Sequence, residues 1–176
     1  KQLISNVREE KIHGLNVTVP FKKMVIPFLD ILSDEAKNSQ SVNTIYKDKG
    51  KIIGDNTDIE GFKTALETTN QVIKNKKALI LGAGGVVPSI IVALKKMQIS
   101  KIYLSNRTEL KALEIKKLFP EIEIIEWGKV TSFDIIINAT SIGLNKKDEI
   151  NIDYKNISPN KFFYDVIYNP KETNFL

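Results

Sequence analysis

The sequence predicts an α/β protein of two domains, the second built on a doubly wound parallel sheet. Three observations support this prediction. Short, continuously apolar strands alternate with helices after residue 76, as is typical of strands buried on both faces. A glycine-rich turn joins the first of these strands to its helix. The pattern before residue 75 differs, because two strands there form a hairpin. We therefore expect domains at 1–75 and 76–176, the first a partial α/β domain.

Composition excludes several kinds of site. The chain has no cysteine and one histidine, so disulfides, cysteine-based metal sites and a histidine metal cluster are excluded, and no metal is expected. No apolar run of about 18 residues is present, and the first residues do not resemble a signal peptide, so we expect a cytoplasmic protein with no membrane partner. The net charge of +5 comes from lysines spread along the chain, with only two arginines, which argues against a nucleic-acid partner.

In the first domain, alternating apolar residues and turn signals define four elements. They are a strand over 14–19, a helix over 27–37 that begins at Pro27, a hairpin over 41–56 that turns at Lys49 and Gly50, and a helix over 58–69 with Thr57 as its cap.

In the second domain, apolar runs and helical periodicity alternate, with short joints between them. The predicted strands cover 78–82, 101–105, 122–127, 134–139 and 161–167, and the predicted helices cover 88–97 and 108–119.

The turn after the first of these strands reads "LILGAGGVVPSII". A dinucleotide site needs a tight turn, a backbone without Cβ near the pyrophosphate, and a helix N-terminus aimed at the phosphates. Gly82 and Gly84 fit the first two requirements. Val87 departs from the usual third glycine or alanine. The strand–loop–helix context favours a Rossmann-type dinucleotide site over a glycine turn without a ligand.

The next strand ends in "SNRT", where an NAD site usually carries a carboxylate. Arg107 can bind the 2′-phosphate of NADP bidentately, assisted by Asn106 and Thr108, so we predict NADP rather than NAD. Thr140 and Ser141, which follow the fourth strand, are candidates to line the same cofactor site or are turn residues only.

Reduction of a ketone with NADPH also needs a proton donor. With one histidine and no cysteine, the candidates are lysine, aspartate and tyrosine. Lys22 closes the stretch "GLNVTVPFK", and Asp58 ends "DNTD" at the start of a predicted helix. An aspartate can hold a lysine ammonium in place and shift its pKa. In a chain with so many lysines, however, a single lysine is more commonly a surface charge.

Seven motifs extend from residue 14 to the end of the chain: "GLNVTVPFK", "SVNT", "GDNTDIEGF", "GAGG", "SNRT", "NATSIGL" and "DVIYNP". In these motifs and their order the chain resembles the shikimate dehydrogenases, NADP-dependent enzymes of aromatic amino-acid biosynthesis. The resemblance implies a substrate domain followed by an NADP-binding domain. It also implies reversible, NADPH-dependent reduction of 3-dehydroshikimate to shikimate, by a monomer or homodimer.

The resemblance also implies roles for individual residues. Lys22 would be the catalytic acid/base, paired with Asp58, which also holds substrate hydroxyls. Substrate contacts are implied for Thr18, Asn43 and Tyr168. Pyrophosphate contacts are implied for Gly82, Ala83, Gly84, Gly85 and Val86, and adenosine-phosphate contacts for Asn106, Arg107, Thr108 and Lys111. Val166 would lie near the nicotinamide, Asp34 on the cofactor side, and Asn16 would support its loop.

Two alternatives stay open at this point. One is a quinate or quinate/shikimate dehydrogenase of the same family, and the other is an NADP-binding module without turnover. The family's Ser-x-Ser motif, which precedes these segments, and its Gly-Met-x-x-x-Gln segment, which follows them, are not in the sequence. We therefore expect the chain to correspond to the middle of the protein.

Overall fold

A computed structural model describes residues 1–145 and 147–176. The chain divides into two compact units: residues 1–71 with 88–96, and residues 72–87 with 97–176. The segment 88–96 thus groups with the first unit although it lies beyond the predicted boundary. The domain limits near residue 75 stay a prediction.

The first unit contains a four-stranded mixed sheet in the order β1-β3-β4-β2. β3 pairs antiparallel with β1 and with β4, and β2 pairs parallel with β4. The strands are β1 Gly14–Asn16, β2 Ile31–Leu32, β3 Thr44–Asp48 and β4 Lys51–Asp55, and the helices are α1 Gln2–Arg8, α2 Asp34–Ser39 and α3 Asp58–Glu67. The predicted hairpin is confirmed, with Lys49 and Gly50 at positive φ in its turn.

The predicted helix over 27–37 is wrong. The segment instead forms a 3₁₀ turn at Ile26–Phe28, then strand β2, and then helix α2. Ser33 starts α2 by accepting the N–H of Ala36 on its hydroxyl at 3.1 Å. β2 forms because β4 offers a free edge, which local periodicity cannot reveal. Helix α1 was not predicted, and the predicted strand over 14–19 ends at Asn16.

The second unit is a five-stranded, all-parallel sheet in the order β7-β6-β5-β8-β9. Its strands are β5 Lys77–Leu81, β6 Lys101–Ser105, β7 Glu123–Ile125, β8 Ile135–Asn138 and β9 Phe162–Asp165. This is the Rossmann order, with the chain reversing direction across the sheet beside β5, so the predicted fold class is confirmed. Helix α5 Glu109–Leu118 belongs to this unit, whereas helix α4 Val87–Lys96 groups with the first unit beyond Val87, and both lie within two residues of their predicted limits.

Each unit has its own apolar core. In the first, Val7, Val42, Ile45 and Ile52 are fully buried between the sheet and helices α1 and α2. In the second, the central strands β5 and β8 are buried almost throughout, as their continuous apolar sequences predict. β5 and β8 end in the loops that carry Gly82 to Val86 and Thr140 and Ser141. Within the described residues, no helix is long and apolar enough to cross a membrane.

Candidate functional site

A lysine–aspartate pair occupies the first unit. Nζ of Lys22 donates to Oδ2 of Asp58 at 2.6 Å, although the two residues are 36 positions apart in the chain. The side chains are 14% and 27% exposed, so the pair is shielded but reachable from solvent. The carbonyl of Lys22 accepts the N–H of Val42 at 2.9 Å, which anchors its loop to the segment before β3. The structure thus brings the two predicted catalytic residues together.

Asn43 joins this pair through its amide. Its Nδ2 donates to Oδ1 of Asp58 at 2.8 Å and to Oγ1 of Thr57 at 2.9 Å. Its Oδ1 accepts the N–H of Thr57 at 2.9 Å. The carboxylate of Asp58 therefore has one oxygen on the ammonium and the other on the amide, which fixes its plane.

Thr57 does not cap helix α3 with its side chain, contrary to the prediction. Its hydroxyl is engaged by Asn43, and Asn56 replaces it by accepting the N–H of Asp58 on Oδ1 at 3.1 Å. Such an Asx-type turn satisfies one of the four free N–H groups at a helix start.

Thr18 and Asp34 lie at the surface of the first unit. Thr18 follows β1 and is exposed, and its carbonyl accepts the N–H of Phe21 in the turn that leads to Lys22. The neighbouring Val17 donates its N–H to the carbonyl of Asn43 at 2.7 Å, which ties this loop to the Asn43 segment. Asp34 is exposed in the first turn of α2.

The glycine loop follows β5 in the second unit. Gly82 has φ of +108°, and a Cβ on it would lie 2.7 Å from the carbonyl oxygen of Ala139. Only glycine fits there. A Cβ on Gly84 would lie 3.9 Å from the same oxygen, so this exposed position is open for a different reason. Gly85 and Val86 lie in the turn that leads into α4.

A pocket of about 310 Å³ opens over this loop, at the carboxyl ends of β5, β6 and β8. It gathers most of the predicted cofactor residues. Those lining it are Gly82, Ala83, Gly84, Asn106, Arg107, Thr108, Lys111, Thr140 and Ser141, together with Trp127, Ala139 and Ile142.

Two exposed cationic side chains line this pocket. Arg107 and Lys111 are both exposed, and neither has an ion pair in the part of the chain that the structure describes. Asn106 donates from Nδ2 to the carbonyl of Thr108 at 2.7 Å, which bends the loop that presents Arg107.

Sequence reasoning missed Trp127. It is half-buried, follows β7 and lines the same pocket as the glycine loop. It is the only tryptophan in the sequence and stands at the end of a predicted strand. That position could have marked it as a candidate residue of the cofactor site.

Val166 and Tyr168 lie in the second unit beyond β9. Val166 is half-buried and donates its N–H to the carbonyl of Asn138 at 3.1 Å, whereas Tyr168 is 90% exposed. Asp165, just before them, accepts from Nδ2 of Asn138 and from Oγ1 of Thr173 at 2.6 Å. This network fixes the start of the segment. Among the described residues, no group of His, Cys, Asp or Glu side chains could hold a metal ion.

Two family models match the chain. One describes the shikimate dehydrogenase substrate binding domain and matches residues 1–45, and the other describes shikimate / quinate 5-dehydrogenase and matches residues 63–170.

Individual proteins and solved structures are also similar to the chain along nearly its whole length. The chain is 76% identical over 176 residues to a shikimate dehydrogenase (NADP(+)) of Pelagibacter ubique, covering all of this chain and 66% of the relative. The crystal structure of shikimate dehydrogenase from Aquifex aeolicus superposes with a TM-score of 0.85 at 37% identity, covering 99% of this chain and 65% of that one. A 5-ketofructose reductase of Gluconobacter reaches a TM-score of 0.86 at 32% identity, covering 99% and 66%.

The chain therefore spans slightly less than two thirds of the length of these relatives. The second family model alone matches residues 63–170, well over half of the chain, and these residues include the glycine loop and the pocket above it. The chain belongs to the shikimate/quinate dehydrogenase family.

Proposed function

We propose that the whole protein catalyses the reversible, NADPH-dependent reduction of 3-dehydroshikimate to shikimate. The observation that carries the proposal is the Lys22–Asp58 pair, whose 2.6 Å contact places an ammonium proton donor in a shielded, hydrogen-bonded setting. The family membership supports the substrate class, and the name of the Pelagibacter relative supports NADP as cofactor.

The pocket in the second unit fits a phosphorylated dinucleotide. Gly82 makes the tight turn at the end of β5, and the exposed Gly84 has no side chain to keep a pyrophosphate from its backbone. Arg107 and Lys111 supply positive charge where a 2′-phosphate would lie. Trp127 provides an aromatic wall beside them, suited to a purine base. We assign the pyrophosphate to Gly82–Val86, the 2′-phosphate to the Asn106–Lys111 loop, and a nicotinamide contact to Val166.

NADPH, when bound, supplies the hydride that reaches the ketone carbon. Lys22 donates its proton to the ketone oxygen as that oxygen becomes a hydroxyl, and takes it back in the reverse direction. Asp58 holds the ammonium in place and accepts a hydrogen bond from a neighbouring substrate hydroxyl. The hydride and the proton together balance the conversion of the carbonyl to the alcohol.

Thr18, Asn43 and Tyr168 are the proposed contacts to the ring substituents. Thr18 and Tyr168 are exposed and thus accessible to a ligand. Both amide hydrogens of Asn43 are engaged, by Asp58 and Thr57. A substrate hydroxyl would therefore replace Oγ1 of Thr57 as one acceptor, while the bond to Asp58 persists.

Quinate is the second candidate substrate, because the family model that matches residues 63–170 names both acids. The likeness to a 5-ketofructose reductase adds 5-ketofructose as a further candidate substrate to compare. A cytoplasmic location and a small-molecule partner accord with this function, and the monomer or homodimer expectation stays a prediction.

The test is an assay of the full-length protein with shikimate and NADP⁺, following NADPH formation. We expect turnover on shikimate, weaker turnover on quinate or with NAD⁺, and a loss of about 10²–10⁴-fold in Lys22→Ala. The adjacent exposed lysine provides the control, since Lys23→Ala should retain activity. Turnover only on quinate with NADP⁺, or only on 5-ketofructose with NADPH consumption, would reassign the substrate, and NADP⁺ binding without any turnover would indicate a binding module.

A further inference from the structure

A buried polar cluster lies behind Asp58 in the first unit. Its centre is the side-chain amide of Asn56, which is 1% exposed. The amide nitrogen lies 2.8 Å from the carbonyl oxygen of Ser41, 2.9 Å from Oγ of Ser89 and 3.1 Å from Oγ of Ser39. Because a buried amide is stable only when its hydrogens are bonded, these contacts hold Asn56 in one orientation.

The opposite end of the Asn56 side chain faces Asp58. Oδ1 accepts the N–H of Asp58 at 3.1 Å and also the hydroxyl of Ser89 at 3.3 Å. Thr57 makes no side-chain capping bond, so Asn56 restrains the backbone N–H of Asp58. Asn43 restrains Thr57 and the Asp58 carboxylate. The direction of the Asp58 carboxylate depends on the first turn of α3.

We propose that Asn56 and Ser89 are positioning residues for the reaction. Ser89, which lies in helix α4 shortly after the glycine loop, holds Asn56, and Asn56 holds Asp58 against Lys22. The inference rests on the proposed function. Nζ of Lys22 lies only 2.6 Å from Oδ2 of Asp58. A shift of the first turn of α3 therefore moves the carboxylate that holds the proposed proton donor. Misplacements of about 1 Å can cost about 10²-fold in rate.

The same cluster contains a matched control at Ser41. This residue is 3% exposed, and its hydroxyl has no hydrogen-bond partner among the described residues. Only its backbone carbonyl bonds to Asn56. Ser41→Ala therefore removes a buried hydroxyl from the cluster without removing a contact to Asn56, whereas Ser89→Ala removes two.

Steady-state kinetics of the full-length protein provide the first test. We expect Ser89→Ala to lower kcat about tenfold with unchanged affinity for NADP⁺, and Ser41→Ala to change neither. In an Asp58→Asn background, Ser89→Ala should have no further effect, because it acts through the Asp58 carboxylate. Losses of equal size in both backgrounds would overturn the positioning role.

Amide hydrogen exchange provides a second test that needs no turnover. The N–H of Asp58 should exchange faster in Ser89→Ala than in the wild type, and at the wild-type rate in Ser41→Ala. Unchanged exchange in Ser89→Ala would overturn the inference whatever the kinetics. Faster exchange in a protein without any turnover would overturn the proposed function and reduce Asn56 to a structural role.

Discussion

The two candidate sites are built in opposite ways. In the first unit the site is made of side chains that bond to one another: Lys22, Asp58 and Asn43 come from three separate segments and satisfy each other's hydrogen bonds. In the second unit the pocket is made of glycine backbone and of exposed cations without ion pairs among the described residues. A proton donor must be oriented before the substrate arrives, whereas a phosphate site must leave its donors open for the ligand. The changes below test that contrast, from the largest expected effect to the smallest.

Neutralising Asp58 tests the interlocked site. Asp58→Asn keeps the size of the side chain but removes the charge that holds the Lys22 ammonium at 2.6 Å. We expect kcat on shikimate to fall about 10²–10³-fold, with NADP⁺ affinity unchanged in calorimetry. Asp48→Asn, at an exposed carboxylate in β3, is the control and should behave as the wild type. Near-normal turnover in Asp58→Asn would show that the pair is structural only.

Removing Arg107 tests the open site. Arg107→Ala should weaken NADP⁺ binding about tenfold to hundredfold and leave NAD⁺ binding unchanged, because NAD⁺ lacks the 2′-phosphate. Arg8→Ala is the control. Arg8 is the other arginine of the chain and forms an ion pair with Asp30 in the first unit, so its removal should leave the binding of both nucleotides unchanged. Equal weakening of both nucleotides, measured by calorimetry, would contradict the assignment of the 2′-phosphate to this residue.

The two glycines of the loop separate folding from binding. Gly82→Ala places a methyl group 2.7 Å from the carbonyl oxygen of Ala139 at φ of +108°, so we expect a loss of about 1–3 kcal/mol in the free energy of unfolding. Gly84→Ala meets nothing closer than 3.9 Å and should unfold at the wild-type temperature but bind NADP⁺ more weakly. Thermal melts with and without NADP⁺ check both, and equal melting temperatures for the two variants would refute the distinction.

Lys96 tests a smaller electrostatic support of the first unit. Its ammonium lies 2.6 Å from Glu35 in α2 and 3.0 Å from Glu60 in α3. Hydrogen bonding to Lys96 lowers the pKa of both glutamates below their ordinary value of 4.5, so the stabilisation is present above that pH and is lost as pH falls through the lowered values. Lys96→Met should cost at most about 1 kcal/mol at neutral pH, since the groups are partly exposed.

The pH dependence identifies the cause of that loss. The difference in melting temperature between wild type and Lys96→Met should shrink as pH falls below 4.5 and the glutamates become protonated at their lowered pKa values. Lys37→Met, at an exposed lysine in α2, is the control, and its melting temperature should equal that of the wild type at every pH. A difference that persists undiminished in acid would point to lost packing of the lysine stem instead.

Much of the second unit was predictable because its signals are local. An apolar run, a glycine turn and the start of a helix occupy adjacent residues, so β5, the Gly82 loop and the start of α4 follow from the sequence. The requirement for glycine at position 82 is also local in part, since its positive φ belongs to the turn. The short joints between strand and helix then leave few topologies for the parallel sheet.

The first unit was predicted less well because its elements depend on distant partners. The segment 27–37 becomes a strand and a short helix because β4 offers it an edge. Asn56, not Thr57, restrains α3, because Asn43 engages the Thr57 hydroxyl from another segment. Trp127 was missed for the same reason: only the packed sheet places the end of β7 beside the glycine loop.

The sequence by itself determined the α/β class, the dinucleotide-type loop and the residue types able to move a proton or bind a phosphate. Tertiary structure alone decided which of those residues meet. Lys22 is one of many lysines, and its residue type alone does not distinguish it from a surface charge. Its motif made it a candidate proton donor, and folding brings Asp58, 36 residues away, within 2.6 Å of its Nζ. Propensity and turn chemistry act over a few residues, whereas charge pairing and burial depend on the whole packed unit.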